Sequence, residues 1–272
     1  MKLVEFFGLK IKPKITKGKG MWNPLPTQMR NDGIAVIRDK DVNMFLISSD
    51  NGYIAIDSGY KNSLAVESGL KLLDINPECV KAVFLTHLDI DHAGGVDAKS
   101  NNIFPNAQVW IGAEEEKYLS GKYARKKIMG MPCKTPVTLR GGYVSMRGIS
   151  EATVDGVTLG IVRCYGHTKG HLAYRFGDML FSGDTIISNG QKGYPFYDFW
   201  NADSKQLSDS LIELKRYCAE SGISKIVTSH SGILDVEKAF ACMDEHIDWR
   251  KKGFVFNHDA PYDAYKQGEQ IQ

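Results

Sequence analysis

Hydrophobic positions along the chain fall into short blocks whose periods predict alternating strands and helices. Between Gly33 and Gly59, three β-rich runs at residues 34–37, 44–47 and 53–56 predict consecutive strands. Asp50-Asn51-Gly52 between the second and third predicts a tight hairpin. Leu64, Val66, Leu70 and Leu73 approximate helical spacing, and the continuous run Ala82-Val83-Phe84-Leu85 predicts a strand buried on both faces. Residues 109–111 predict another strand and 113–119 a short helix. Residues 120–141, basic and broken by Gly121, Gly130, Pro132 and Pro136, predict a connecting segment. Strand patterns resume at 152–154, cross an Asp155-Gly156 turn, and continue at 157–165, 172–176, 179–181 and 225–228. Leu207, Leu211, Leu214 and Cys218 line one face of a helix that Asp203 or Ser204 caps. Val236, Ala239, Phe240, Met243 and Ile247 mark a last helix. Each half thus has several strands followed by strand–helix alternation, which predicts an α/β fold with two packed sheets and helices outside, a four-layer arrangement.

The first twenty residues hold six lysines against one acid. The alternation Leu9-Lys10-Ile11-Lys12-Pro13-Lys14-Ile15 predicts an edge strand or tether, with lysines that discourage edge pairing. No aromatic stacking platform is interleaved with them, which argues against a nucleic-acid arm.

Composition narrows the classes. At 272 residues and 43% hydrophobic, the chain can bury a large core without a disulfide or metal. Thirty-four basic against 32 acidic residues leave +2, which argues against a nucleic-acid partner bound by bulk charge. No apolar run approaches the roughly 18 residues of a membrane span, and the start of the chain is a poor signal peptide. The five cysteines are scattered without a CxxC pair, and Cys164 reads as a core residue. The expectation is a cytoplasmic globular protein without a membrane partner.

Four short segments carry the chemistry. Thr86-His87-Leu88-Asp89-Ile90-Asp91-His92-Ala93-Gly94-Gly95 begins where a buried strand ends, the place where α/β proteins gather ligand-binding groups. Two imidazoles and two carboxylates this close favour a divalent metal site. Gly166-His167-Thr168-Lys169-Gly170-His171, Ser182-Gly183-Asp184 and Ser229-His230 each follow further predicted strands. Any one alone is weak; a histidine at a strand end is commonly a hydrogen-bonded structural residue. Four such strand ends in one chain are hard to reconcile with coincidence.

This ordered set resembles the metallo-β-lactamase-fold superfamily, whose pattern is HxHxDH, a histidine after a strand, a bridging aspartate and a late histidine. The resemblance covers roughly residues 33–250. It implies one domain over residues 1–272, a four-layer αββα sandwich of two pseudo-symmetric halves, with an N-terminal basic strand or extension (1–32) and a polar tail (251–272). Carried over, it implies one metal held by His87, Asp89 and His167 and a second by Asp91, His92 and His230, with Asp184 bridging. Ile56-Asp57-Ser58-Gly59 matches the family's early aspartate, whose carboxylate supports the metal site, and His171 matches a position that is usually not a ligand. His246 and His258 match nothing. The chain departs from the pattern at Asp89, where the family usually has histidine. A carboxylate there raises the ligand charge from −2 to −3, which makes iron or manganese more plausible beside zinc.

The implied reaction is hydrolysis: a hydroxide bridging two divalent ions, zinc first, attacks an ester, lactone or thioester of a small, partly apolar substrate. Asp91 or Asp184 would accept and return the proton. The aromatic loop after Asp184 would cover the site, with Tyr194 or Tyr197 to bind a substrate carbonyl, and residues 21–26 would form the opposite wall. The absence of a large insertion before His230 argues against a nuclease, and the short polar tail after Arg250 against a glyoxalase-II-like thioesterase. The alternative is a di-iron protein that binds or reduces oxygen, or a sensor, motivated by Asp89. The family also makes a homodimer a standing option.

Overall fold

The computed structural model describes residues 3–16, 21–128, 131–139 and 141–245. The predicted strands form in order: β1 (Gln28–Met29), β2 (Ile34–Asp39), β3 (Val42–Ser49), β4 (Gly52–Ile56), β5 (Val80–Phe84) and β6 (Gln108–Ile111). β7 (Lys126–Ile128) and β8 (Met131–Cys133) pair as a separate hairpin, and β9 (Tyr143–Ser145) returns to the first sheet. That sheet runs β1-β2-β3-β4-β5-β6-β9, antiparallel through β4 and parallel beyond it. β10 (Glu151–Val154), β11 (Val157–Arg163), β12 (Leu172–Phe176), β13 (Met179–Gly183), β16 (Lys225–Thr228) and β17 (Gly232–Asp235) make the second sheet, and β14 (Ile186–Ser188) pairs with β15 (Gly193–Pro195) as a hairpin.

Alternation along the strands explains the layers. On β3, Phe45 and Ile47 face one core while Met44 and Leu46 face another. The first joins Ile34, Val36, Ile54 and Phe84 of sheet one to Leu159, Ile161, Tyr174 and Phe181 of sheet two, so the sheets pack face to face. The outer face of sheet one packs Val66 and Leu70 of α3 (Leu64–Leu72). The outer face of sheet two packs Leu207, Leu211, Leu214 and Cys218 of α5 (Ser204–Glu220), whose first turn is capped by the Asp203 carboxylate accepting from Gln206 N at 2.9 Å. Each half contains a parallel crossover through a helix, β4–α3–β5 and β13–α5–β16, which accounts for the expected pseudo-symmetry. Two short helices, α4 (Glu116–Leu119) and α6 (Val236–Ala239), complete the chain. α6 is shorter than the periodicity predicts, and His246, Ile247, His258 and the tail 251–272 lie outside the described residues.

The N-terminal expectation fails. Residues 9–15 are not a strand: α1 (Leu3–Phe6), a wide π-type turn (Phe7–Ile11) and α2 (Lys12–Thr16) form one helical segment. Its buried positions, Gly8, Lys12 and Thr16, repeat every four residues as on a helix face. None of the three is a large apolar residue, so the hydrophobic alternation pointed to the wrong period. Among the described residues, no helix is long and apolar enough to cross a membrane.

Candidate metal centre

Five strand ends meet on one rim of the two sheets. After β4 the chain turns through Asp57, held at φ +62°; after β5 come Thr86 and His87; after β11, His167; after β13, Asp184; after β16, His230. A left-handed aspartate is a costly backbone conformation, tolerated where the surroundings fix it. Here the Asp57 carboxylate accepts from Thr86 N at 2.8 Å, from Thr86 Oγ1 at 2.9 and 3.0 Å, and pairs with His92 Nδ1 at 2.8 Å. Gly183, also left-handed at φ +54°, ends β13 where a Cβ would stand 2.6 Å from His171 Nε2. Gly94 is required for close approach instead, since its Cβ would meet Lys61 N at 2.2 Å.

The four histidines are oriented from behind. Besides the Asp57–His92 pair, Thr86 Oγ1 lies 3.0 Å from His87 Nδ1, Asn201 Oδ1 lies 3.1 Å from His167 Nδ1, and the Asp41 carbonyl pairs with His230 Nδ1. With Nδ1 thus engaged, each Nε2 is aimed inward.

Asp184 lies between two pairs of rings. Its Oδ1 is 3.3 Å from His92 Nε2 and 3.2 Å from His230 Nε2; its Oδ2 is 3.5 Å from His167 Nε2 and 4.0 Å from His87 Nε2. Asp89 Oδ2 closes the second group at 3.6 Å from His87 and 3.4 Å from His167. Asp91 Oδ2 closes the first at 3.5 Å from both His92 and His230. Donor atoms bound about 2.0–2.1 Å from one tetrahedral ion lie about 3.3 Å apart, close to these separations. His87 Nε2, His92 Nε2, His230 Nε2 and Asp184 Oδ1 are buried and have no hydrogen-bond partner. Buried polar atoms rarely stay unsatisfied, and three triplets, His87/Asp89/His167, Asp91/His92/His230 and His87/His92/Asp184, converge closely enough to hold a cation. The donor set fits divalent metal ions.

The field around the donors is uneven. Burial opposes the charge on Asp184, yet His230 and His92 hold its carboxyl well below the usual carboxylate range. Burial likewise opposes protonation of His92, but Asp184, Asp57 and Asp91 raise it well above an ordinary histidine. Burial lowers His167 to about 4. His171 is lowered too, by burial and then by His87, and its Nε2 accepts from the Asp184 backbone N–H at 3.1 Å. It braces the bridging residue, in keeping with a supporting role.

Two cations reach the carboxylates, and no sequence motif announced either. Arg125 forms a two-pronged bond to Asp89, Nε to Oδ1 at 2.5 Å and Nη2 to Oδ2 at 2.6 Å, and its Nη2 also lies 3.2 Å from His167 Nε2. Lys12, from the N-terminal helical segment, donates to Asp91 and sits 3.8 Å from Asp41. The stretch 120–141 is therefore more than a connection, and the N-terminal segment more than a tether.

Chemistry this specific invites comparison with known proteins. The family model of the metallo-beta-lactamase superfamily matches residues 37–230. The chain belongs to the metallo-beta-lactamase superfamily. Its similarity to a hydroxyacylglutathione hydrolase of Aeromonas hydrophila is 30% identity over 157 residues, covering 58% of this chain and 51% of that protein. A beta-lactamase-like protein 2 homolog of Caenorhabditis elegans is 26% identical over 77% of this chain and 62% of its own length. The chain thus spans only about half to three-fifths of these relatives. In fold it resembles the B3 metallo-beta-lactamase BLEG-1 (TM-score 0.57, 18% identity, 76% of this chain and 96% of that one). It also resembles an archaeal superfamily protein of Sulfolobus tokodaii (TM-score 0.53, 16% identity, 88% and 100%). Membership in this superfamily implies divalent metal binding, and the fold and family expected from the motifs are the ones found.

Beside the metal-ligand candidates opens a cavity of about 710 Å³, with Asp89, Asp91, His167 and Asp184 in its lining. Phe6, Phe7 and Ile11 from the N-terminal segment form one wall, and Phe196, Phe199 and Trp200 from the loop after β15 form another. Trp22 meets the His230 ring edge-on at 4.5 Å and stacks on Tyr197 at 5.7 Å, so it backs His230, and residues 21–26, expected as the opposite wall, do not line the cavity. Tyr194 and Tyr197, expected to meet a substrate carbonyl, are instead placed in the core behind sheet two, away from the cavity lining. Burial pushes the Tyr194 hydroxyl up to about 12. Cys164 is buried in the same core, as expected.

Proposed function

We propose that this protein is a dinuclear metal-dependent hydrolase that cleaves an ester, lactone or thioester bearing an apolar acyl group. One observation carries the reading: Asp184 offers one oxygen to each of two histidine pairs at the edge of an apolar cavity. His87, Asp89, His167 and Asp184 Oδ2 would hold one ion, and Asp91, His92, His230 and Asp184 Oδ1 the other, zinc by preference. When bound, such ions supply a Lewis acid and an activated water at neutral pH.

The chain's own residues supply the rest. Phe6, Phe7, Phe199 and Trp200 bind the acyl portion and exclude water from the reacting end. Asp91 or Asp184 would take up and return a proton beside the scissile bond. The backbone N–H of Asp184, bonded to His171, keeps the bridging carboxylate from rotating out of register. Similarity to hydroxyacylglutathione hydrolases makes a thioester the first bond to test; the apolar wall keeps esters and lactones beside it.

The test is zinc-loaded protein assayed against acyl esters, lactones and thioesters of increasing chain length, with Asp184→Asn in parallel. An Asn amide turns a donor toward one histidine pair, so this variant should lose one ion per chain together with hydrolysis. A fully loaded wild type inert across the panel, or an Asp184→Asn variant with unchanged turnover, would overturn the assignment.

A further inference from the structure

The departure at Asp89 has a partner elsewhere in the chain. Asp89 is the position at which the motif carries an extra negative charge, and Arg125 engages both of its oxygens, at 2.5 and 2.6 Å. The guanidinium is buried and is further tied to the Trp200 carbonyl at 3.1 Å. Two parallel N–H···O contacts from one guanidinium are the geometry of a carboxylate ion pair, so the two side chains form a fixed anion and cation. Together they carry no net charge, as a neutral imidazole would.

We infer that Arg125 and Asp89 act as a single neutral ligand unit, Arg125 being the positioning and charge-compensating residue that lets a carboxylate stand where the family places histidine. This rests on the metal-site reading above. Arg125 cancels the extra unit, so the total over Asp89, Asp91, Asp184 and Arg125 returns from −3 to −2. The charge argument for iron at Asp89 is correspondingly weakened, and zinc is favoured. Lys12 bears on Asp91 instead and is unchanged in every variant compared.

The consequence is a coupling of defined sign. Asp89→His, which restores the usual family residue, strands a buried guanidinium beside the cation and should weaken zinc binding. Arg125→Gln leaves the carboxylate uncompensated and should tighten it. Asp89→His combined with Arg125→Gln restores neutrality and should return affinity close to wild type. A unit charge within about 6 Å of a divalent ion changes affinity about tenfold even at the dielectric of water, so each single variant should move by about that factor or more, in opposite directions. A merely structural role for Arg125 predicts the reverse sign for Arg125→Gln.

The experiment is a zinc titration of metal-free protein in competition with a chromogenic chelator, on wild type, both single variants, the double variant and Arg125→Lys. Circular dichroism confirms the fold of each. Arg125→Lys keeps the charge and should stay near wild type, which preserves the test if Arg125→Gln fails to fold. Weakened binding in Arg125→Gln, or a double variant as weak as Asp89→His alone, overturns the pairing while leaving the hydrolase reading intact. A wild type that takes up no zinc overturns both.

Discussion

The Asp57→Asn substitution separates metal binding from folding. Asp57 receives the Thr86 N–H at 2.8 Å and the Thr86 hydroxyl at 2.9 and 3.0 Å, and pairs with His92 Nδ1 at 2.8 Å. Asparagine keeps the shape and tolerates the left-handed backbone that alanine would resist. Its amide nitrogen, however, must face either the Thr86 N–H or His92 Nδ1, so one donor meets another in either rotamer. In the zinc-bound state, where Nε2 must be free of its proton, the imidazole escapes only by moving the Nδ1 proton to Nε2, the atom aimed at the metal. Losing one charge-assisted buried hydrogen bond costs about 1.5–3 kcal/mol, which the metal-free variant should show in urea unfolding. Zinc affinity should fall about 10–100-fold, the usual cost of removing the partner behind a ligand histidine. Chelator competition on apo protein measures the second quantity and denaturant titration the first. Wild-type zinc affinity in a variant destabilised by the expected amount would refute the argument that Asp57 fixes the His92 tautomer.

Other expectations follow from the same structure. Phe199→Ala, on the exposed side of the cavity, should raise KM for long-chain acyl substrates more than for short ones with zinc content unchanged; equal effects on all chain lengths would remove Phe199 from the acyl wall. Zinc uptake should release protons at pH 7, because His92 is raised well above 6.5 and is charged in the metal-free protein, whereas His167, lowered to about 4, is already neutral. The two have opposite pH signatures. The stability that His92 contributes is complete below 6.5 and lost as pH rises through its raised value, while that of His167 is complete above 6.5 and lost as pH falls toward about 4. Calorimetry in buffers of different ionisation enthalpy counts the protons released. Leu211→Ala removes a fully buried contact between α5 and sheet two and should cost about 2–5 kcal/mol with zinc affinity retained, read from chemical unfolding and the same titration.

The donor atoms were legible because strand-end motifs are local: His87, Asp89, Asp91 and His92 lie within six residues, and Asp184, His230 and His167 follow the ends of β13, β16 and β11 by one, two and four residues. The sheets were legible because their apolar runs are continuous or strictly alternating. Arg125, Asn201, Asp41 and Lys12 were not. Each is a single polar residue whose role comes from a contact 34 to 189 residues away, and no local period encodes that. The N-terminal segment was misread for a related reason. Its seven-residue alternation was real, but burial there is decided by Lys12 finding Asp91 and by Gly8 fitting beneath Ile90, a Cβ there standing 2.7 Å from Ile90 Cγ2.

Neither triplet that brings a β-sheet end together with a late histidine belongs to one half of the molecule. His87 and Asp89 come from the first sheet and meet His167 from the second; Asp91 and His92 come from the first and meet His230 from the second. Around them, backbone bonds already stitch the halves, from Leu172 N to the Thr86 carbonyl at 2.9 Å and from Asn43 N to the Ser229 carbonyl at 2.7 Å. A bound ion would therefore act as a rivet through the seam, assembled only after both sheets have docked and strained first when they part. Loading of the metal and mechanical closure of the sandwich would then be one event.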